Sequence, residues 1–284
     1  MRMNIPPKSP MIGEVRNQKL LSSATSYIYQ QTPQGDLMAH FFFPADYDYE
    51  VDCRPVVVFF HGGLWDLSAP AQFIPHCHHF TSRGMVAISV EYRNKAHFEG
   101  SPEDAIYDAK EALTFLKTHS KSMGIDSEKI VAVGASAGGN AVLCSALHSH
   151  KDETKPSPQP AAMVLFGPIS DTTPKGIGNE LFSNPKVGKL LSPSSHLPQK
   201  GLPPCLIFHG KADRVVPIEH SEKFVKRYRK RGNNCELMEF QNAGHTFFNY
   251  NSDEQNYELT LRAADHFLVE LGLIEPDPLG NIMH

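Results

Sequence analysis

Short apolar runs alternate with longer helical patterns over most of the chain. The runs are four to six residues long, rich in Val, Ile, Leu, Phe and Ala, and occupy residues 56–60, 85–90, 130–133, 162–166 and 205–208. Nearly continuous apolar runs predict strands that are buried on both faces, and helices between them predict parallel crossover connections. We therefore expect an α/β fold in which helices flank both faces of a mostly parallel, twisted sheet.

The segments between these runs carry helix start and stop signals. Ser101 precedes Pro102 and two acidic residues, which is typical of a helix N-terminus, and apolar residues then recur every three or four positions. We expect helices from about residue 74 to just before Gly84, from 102 to near Gly124, and over 137–148, 219–231 and 255–271. A further strand is expected at 236–240.

No repeat, low-complexity tract or linker composition interrupts this pattern. We therefore expect residues 1–284 to form a single domain, with residues 1–50 as an irregular or antiparallel edge. A polar, proline-rich loop is expected at 151–160. Residues 168–203 are rich in Pro, Gly and Ser and too long for a plain connection, so we expect a lid-like insertion there.

Composition excludes several classes of protein. The 27 Lys and Arg residues against 31 Asp and Glu give a net charge of −4, which argues against a nucleic-acid partner. No apolar run approaches the roughly 20 residues that span a bilayer, and the N-terminus lacks a signal-peptide pattern. We expect a cytoplasmic protein without a membrane partner. Five dispersed cysteines without a CxxC pair predict neither a disulfide framework nor a metal site.

The strongest chemical signal is a serine between two glycines. Residues 134–138 read Gly-Ala-Ser-Ala-Gly, directly after one expected strand and at the start of an expected helix. Gly and Ser are common turn residues, so the pentapeptide alone indicates little. The strand–turn–helix setting, however, is the one that a nucleophile elbow requires, in which Ser136 stands out at the tip of a tight turn.

A serine hydroxyl becomes a nucleophile when a base takes its proton and an acid orients that base. Asp213 follows the strand at 205–208, and His245 follows the strand at 236–240. Both therefore belong at the carboxyl ends of parallel strands, where open α/β sheets bind their ligands. We predict Ser136 as nucleophile, His245 as base and Asp213 as the acid that orients it.

The stretch His-Gly-Gly-Leu-Trp at 61–65 follows the first expected strand. Backbone N–H groups of such a loop, together with the N–H that follows the nucleophile, can bind a developing oxyanion. We predict Gly63, Leu64 and Ala137 as these donors. His61 and His209 are expected to shape loops, and His76, His78 and His79 to form an ordinary helix face rather than a metal site. No cofactor and no metal are implied.

Taken together, residues 61–65, 134–139, 210–217 and 244–245 resemble the corresponding segments of the α/β-hydrolase superfamily. The resemblance covers roughly residues 53–272. It is to the esterase/lipase branch, which includes hormone-sensitive-lipase-like enzymes, carbohydrate acetyl esterases and feruloyl-esterase-like proteins. Lipase-like members usually have a third glycine where this chain has Leu64. Backbone donation survives a leucine, so the difference concerns the shape of the pocket.

The resemblance implies a serine carboxylic-ester hydrolase that forms an acyl-enzyme on Ser136 and acts on a small-molecule ester. The bulky Leu64 and Trp65, and the lack of a continuous apolar helix in residues 168–201, favour a small acyl group such as acetyl, with a carbohydrate as one candidate carrier. Two alternatives stay open. His-Gly-Gly-x-Trp also occurs in kynurenine formamidases, which permits an arylformamidase-like amide hydrolase. The other is a non-catalytic α/β-hydrolase used as a binding module, against which the intact triad argues.

Overall fold

The computed structural model describes residues 14–147, 154–195, 197–198 and 200–277. The strands within this part of the chain are β1 (Thr25–Thr32), β2 (Gly35–Phe42), β3 (Arg54–Phe60), β4 (Val86–Val90), β5 (Ile125–Ala135), β6 (Ala162–Phe166), β7 (Cys205–Gly210) and β8 (Cys235–Phe240). The α-helices are α1 (Glu14–Leu21), α2 (Ile74–Ser82), α3 (Lys95–Phe98), α4 (Pro102–Thr118), α5 (Ser136–Leu147), α6 (Pro185–Leu190), α7 (Glu219–Lys230) and α8 (Glu254–Glu270).

The eight strands form one sheet in the order β1-β2-β4-β3-β5-β6-β7-β8. All pairings from β4 to β8 are parallel, whereas β1 pairs with β2, and β2 with β4, in antiparallel orientation. The predicted mostly parallel sheet is confirmed. The carboxyl ends of the parallel strands lie along one edge of the sheet, so the loops that follow β3, β5, β7 and β8 meet there.

Apolar side chains alternate between two layers, one on each face of the sheet. Val58 packs towards the layer that α4, α5 and α7 cover, and Val57 packs towards the layer of α2 and α8. Full burial of one such side chain contributes about 1.5–3 kcal/mol, so both layers fix the helices against the sheet. The prediction of helices on both faces is confirmed.

Local signals set the start of α4. The Ser101 hydroxyl accepts a hydrogen bond from the backbone N–H of Asp104 at 3.2 Å, and the Asp104 carboxylate accepts one from the N–H of Ser101 at 2.9 Å. This reciprocal pair is a capping box. The helix ends at Thr118, earlier than expected, and a 3₁₀ turn at Lys121–Met123 leads to Gly124 in the left-handed region.

The course of the chain in two regions could not be predicted from the local sequence pattern. Residues 14–42 form α1 and the antiparallel pair β1–β2, which extends the sheet beyond β4. Residues 168–203 carry only short helices, namely Asn179–Leu181, α6 and Pro193–Ser195. Residues 1–13, 151–153 of the polar loop, and 196 and 199 of the insertion lie outside the described residues. The domain assignment and the lid stay predictions.

Candidate active site

Ser136 directly follows the last residue of β5 and is the first residue of α5. Its φ is +52°, a left-handed conformation that costs a non-glycine residue about 1 kcal/mol or more and that the surrounding structure must impose. A Cβ on Gly134 would lie 2.6 Å from the Gly138 carbonyl oxygen, and one on Gly138 would overlap the carbonyl oxygen of Phe60. Contact with neighbouring backbone therefore explains both glycines. Ser136 Oγ is buried and has no hydrogen-bond partner among the described residues.

Asp213 and His245 form a hydrogen bond at the carboxyl ends of β7 and β8. His245 Nδ1 lies 2.7 Å from Asp213 Oδ2, while Asp213 Oδ1 accepts the backbone N–H groups of Val215 and Val216 at 2.8 and 2.9 Å. Because an ionised carboxylate only accepts hydrogen bonds, Nδ1 carries the proton. In the neutral imidazole, Nε2 is then the nitrogen with a free lone pair and can act as a base.

His209 contacts the same carboxylate. Its Nε2 lies 2.8 Å from the Val216 carbonyl oxygen and 3.4 Å from Asp213 Oδ2, and its Nδ1 lies 2.8 Å from Ser221 Oγ. Burial disfavours the charge on Asp213, but hydrogen bonds from His209, His245 and the Val216 N–H outweigh it and hold the pKa of Asp213 well below its usual range. Asp213 is therefore an anion throughout the neutral range.

The loop that follows β3 lines the same cavity as Ser136 and His245. Gly63, Leu64 and Trp65 all have positive φ, at 141°, 52° and 60°. A Cβ on Gly63 would lie 2.6 Å from the Leu67 carbonyl oxygen, so glycine is required there. The Gly62 N–H already donates to Gln72 Oε1 at 2.7 Å, which removes it as an oxyanion donor.

The predicted donors Gly63, Leu64 and Ala137 stay a prediction. Gly63 and Leu64 line the same cavity as Ser136, and Ala137 follows Ser136 directly at the start of α5.

His61 anchors this loop without a charge. It is buried, its Nδ1 donates to the Gly62 carbonyl at 2.7 Å, and the Tyr92 hydroxyl donates to the His61 carbonyl at 2.6 Å. The His61 and Tyr92 rings stack with centroids 4.3 Å apart. Burial lowers the pKa of His61 to about 4. The expectation that His61 shapes the loop is consistent with these contacts.

Ser136 and His245 share a cavity of about 380 Å³. Most of its wall is apolar and includes Leu64, Val215 and Phe248, while Gln72 and Asn249 add polar groups. This is the lower end of the usual size of small-molecule sites. A buried serine, an oriented imidazole and an apolar wall in one cavity can support acyl transfer.

The histidines of α2 have separate environments. His76 is buried, with its ring edge-to-face against Tyr257 and near Phe73 and Phe166, and neither ring nitrogen has a partner among the described residues. His79 Nε2 instead lies 3.2 Å from Asp265.

In the part of the chain that the structure describes, no group of three or more His, Cys, Asp or Glu side chains could hold a metal ion. The same part contains no helix that is both long and apolar enough to cross a bilayer.

The chain matches the BD-FAE family model over residues 43–164 and 167–228. It is also similar to solved structures of esterase 2 from Thermogutta terrifontis. The form phosphoramylated by tabun is 37% identical with a TM-score of 0.84, over 90% of this chain and 98% of that chain. The propionate-bound form is 36% identical with a TM-score of 0.83, over 90% of this chain and 97% of that one.

A curated relative is a probable isoprenylcysteine α-carbonyl methylesterase, ICMEL1, from Oryza sativa subsp. japonica. It is 24% identical over 78% of this chain and 56% of its own length. The chain thus spans about half the length of the curated relatives that it matches.

Proposed function

The chain belongs to the BD-FAE family, within the esterase/lipase branch of the α/β-hydrolases, and we propose that it hydrolyses carboxylic esters of small acyl groups through an acyl-enzyme on Ser136. The observation that carries this proposal is the 2.7 Å bond between Asp213 and His245 beside the cavity that Ser136 lines. That bond selects the imidazole tautomer that can take a proton from serine.

In the proposed reaction, Ser136 Oγ attacks the ester carbonyl while His245 Nε2 takes its proton. Asp213 stabilises the resulting imidazolium without accepting the proton itself. The N–H groups of Gly63, Leu64 and Ala137 stabilise the oxyanion, and His245 then protonates the departing alcohol. Water activated by His245 releases the acid from Ser136 and restores the enzyme.

Three features support a small acyl group, acetyl in particular. The cavity holds about 380 Å³, its wall includes the bulky side chains of Leu64 and Phe248, and the 168–203 insertion carries only short helices. The similar Thermogutta esterase has been solved with propionate bound, a short carboxylate. Its phosphoramylation by tabun is in keeping with a nucleophile that attacks phosphorus as well as carbonyl carbon. A carbohydrate is the proposed carrier of the acyl group.

The test is Ser136→Ala, assayed with p-nitrophenyl acetate. Loss of the nucleophile leaves only binding and the oxyanion donors, which retain roughly 10³-fold acceleration over water and fall far below the native rate. Ser127→Ala, at a partly buried position near the start of β5, is the matched control and keeps full activity. Native-level hydrolysis by folded Ser136→Ala protein would contradict the nucleophile assignment.

The amide alternative is tested with the same protein and N-formylkynurenine. We expect kcat/KM for p-nitrophenyl acetate to exceed that for N-formylkynurenine, and the reverse order would favour an arylformamidase. Hydrolysis of neither substrate, nor of acetylated sugars, would favour a binding module.

A further inference from the structure

A cavity of about 410 Å³ lies between α7 and the 168–203 insertion, and we call it the α7 cavity. Two hydrogen bonds hold its walls together. Ser170 Oγ donates to the carbonyl oxygen of His220 at 3.2 Å, and the Ser194 N–H donates to the carbonyl oxygen of Ser170 at 2.8 Å. Among the described residues, none lines both the α7 cavity and the catalytic cavity. The α7 cavity is therefore a separate feature of the fold.

Four cationic side chains line the α7 cavity. Lys223, Lys226 and Arg227 are spaced three and four residues apart on α7 and so lie on one face of the helix, and Lys175 comes from the insertion. None of these four side chains has an ion pair or a hydrogen bond within the part of the chain that the structure describes. Like charges at this spacing repel one another, and a bound anion relieves that repulsion.

One acidic side chain, Asp171, is among the described residues that line the α7 cavity. Its Oδ1 accepts hydrogen bonds from the Thr173 N–H at 2.9 Å and from the Ser192 hydroxyl at 3.3 Å. Burial lowers the pKa of His220, so that its ring adds no charge at neutral pH. Four cations and one carboxylate leave a local charge of +3, although the whole chain carries −4. A concave surface with this charge attracts anions.

Ser194 provides an independent sign of a ligand. It lines the α7 cavity and is only 9% exposed, and its hydroxyl has no hydrogen-bond partner among the described residues. A buried hydroxyl without a partner is destabilising, so this group is suited to donate a hydrogen bond to a bound molecule. A hydroxyl beside ammonium and guanidinium groups forms the set of donors that binds phosphate oxygens.

We propose that the α7 cavity binds the diphosphate group of a soluble small molecule. One phosphate group carries about −1.5 to −2 at pH 7, so two phosphate groups match the local charge of +3 better than one. The volume of about 410 Å³ leaves room for the rest of the molecule. This site goes beyond the proposed ester hydrolysis and does not depend on it. The phosphate head group of a lipid offers the same chemistry, and the experiments below separate the two sources.

Calorimetric titration with inorganic pyrophosphate, at about 0.15 M salt, tests the site. We expect one pyrophosphate to bind per chain, more tightly than orthophosphate. In Lys223→Gln the dissociation constant rises about tenfold, because a hydrogen bond to a charged group is lost. Lys121→Gln is the matched control and keeps the dissociation constant, because it removes the same charge at an exposed position in the 3₁₀ turn before β5. Both lysines are exposed, so both variants keep the fold.

Ser194→Ala separates a binding site from general attraction to a basic surface, because it changes no charge. We expect the dissociation constant for pyrophosphate to rise about fivefold, for the loss of one neutral hydrogen bond. Binding at the wild-type level in Ser194→Ala would mean that surface charge alone attracts the anion, which overturns the site. Equal dissociation constants in Lys223→Gln and Lys121→Gln also overturn it, as does pyrophosphate that binds no more tightly than orthophosphate.

Vesicles made of equal parts of phosphatidylcholine and phosphatidic acid test the lipid as the source. We expect the protein to stay in the supernatant when these vesicles are sedimented. Cosedimentation that Lys223→Gln abolishes would assign the α7 cavity to a lipid head group and overturn the soluble ligand. Neither measurement uses ester hydrolysis, so a failure of the proposed reaction leaves the test of the α7 cavity unaffected.

Discussion

At the residue scale, both oxygens of Asp213 are engaged, one by backbone N–H groups and the other by His245. Asp213→Asn keeps the shape but offers an amide N–H to His245, which favours the wrong imidazole tautomer. We expect kcat for p-nitrophenyl acetate to fall by about 10⁴. Asp36→Asn, at an exposed position of β2, is the control and keeps kcat. A kcat within twofold of wild type in Asp213→Asn would place the acid elsewhere.

We expect the buried His76 to make the free energy of unfolding depend on pH. Burial, and next the nearby His79, lower the pKa of His76 in the folded protein to about 3, against about 6.5 when unfolded. The unfolded chain therefore binds the additional proton. The stabilisation from a neutral His76 is complete above about pH 6.5 and is lost as the pH falls towards 3.

We therefore expect His76→Leu to reduce the loss of unfolding free energy on acidification. Between pH 6 and pH 4.5 the slope becomes shallower by up to about 1.4 kcal/mol per pH unit, the value for one proton. Urea unfolding at several pH values measures this slope. His266→Leu, at a side chain that is 74% exposed, is the matched control and keeps the wild-type slope. An equal slope in the two variants would mean that His76 has the same pKa in the folded and the unfolded protein.

Single residues differ in how far the sequence predicts them. Ser136, Asp213 and His245 follow strands in a fixed order, so sequence pattern alone selects them, and the structure brings Asp213 and His245 into contact. The contact of His209 with Asp213 and the aromatic rings around His76 depend on the tertiary structure. The position of His209 four residues before Asp213, at the end of β7, was the available signal for its role.

At the scale of elements, the turn from β5 to α5 depends on close backbone contacts. A Cβ on Gly138 would overlap the carbonyl oxygens of Phe60 and His61, neither of which belongs to a flexible side chain. We expect Gly138→Ala to lower the unfolding free energy by about 1–3 kcal/mol or more and to displace Ser136. Urea unfolding measures the first effect, and p-nitrophenyl acetate hydrolysis the second.

Gly244→Ala is the control for stability, because a Cβ there meets nothing within 4 Å and Gly244 has no positive φ. Equal stability of the Gly138 and Gly244 variants would show that the turn relaxes and that the glycine spacing has another origin.

Elements with strong local signals were predicted well. The structure gives Glu219–Lys230 and Glu254–Glu270 for helices expected at 219–231 and 255–271. In contrast, β1 and β2 are partly polar, and β2, through which β1 joins the sheet, pairs with distant residues, such as Phe41 with Ile88 of β4. Their position depends on these non-local pairs, which a local pattern does not contain.

At the scale of the whole molecule, loops far apart in sequence enclose the catalytic cavity. We expect kcat/KM to be higher for acetate esters than for esters of eight carbons or more. An apolar groove would add up to about 0.8 kcal/mol per buried methylene, whereas a cavity of about 380 Å³ limits that gain. A series of two-, four-, eight- and twelve-carbon p-nitrophenyl esters measures this. A maximum at eight carbons or above would contradict the small acyl group.

The sequence predicts the architecture of the sheet but not the shape of its cavities. Alternating apolar runs indicate a parallel sheet and therefore the edge at which Ser136, Asp213 and His245 meet. The catalytic cavity is lined by loops that follow β3, β7 and β8, through Leu64, Val215 and Phe248 respectively. The packing of these loops has no sequence signature.

Reaction with paraoxon, followed by peptide mapping by mass spectrometry, tests directly whether Ser136 is the nucleophile. A nucleophilic serine forms a bond to phosphorus and releases 4-nitrophenolate. We expect one diethylphosphoryl group per chain, on Ser136, with esterase activity lost in proportion to labelling, and no label in Ser136→Ala protein. Two results would contradict Ser136 as the nucleophile. One is complete inactivation with the diethylphosphoryl group on another residue, and the other is paraoxon-inactivated protein in which Ser136 carries no label.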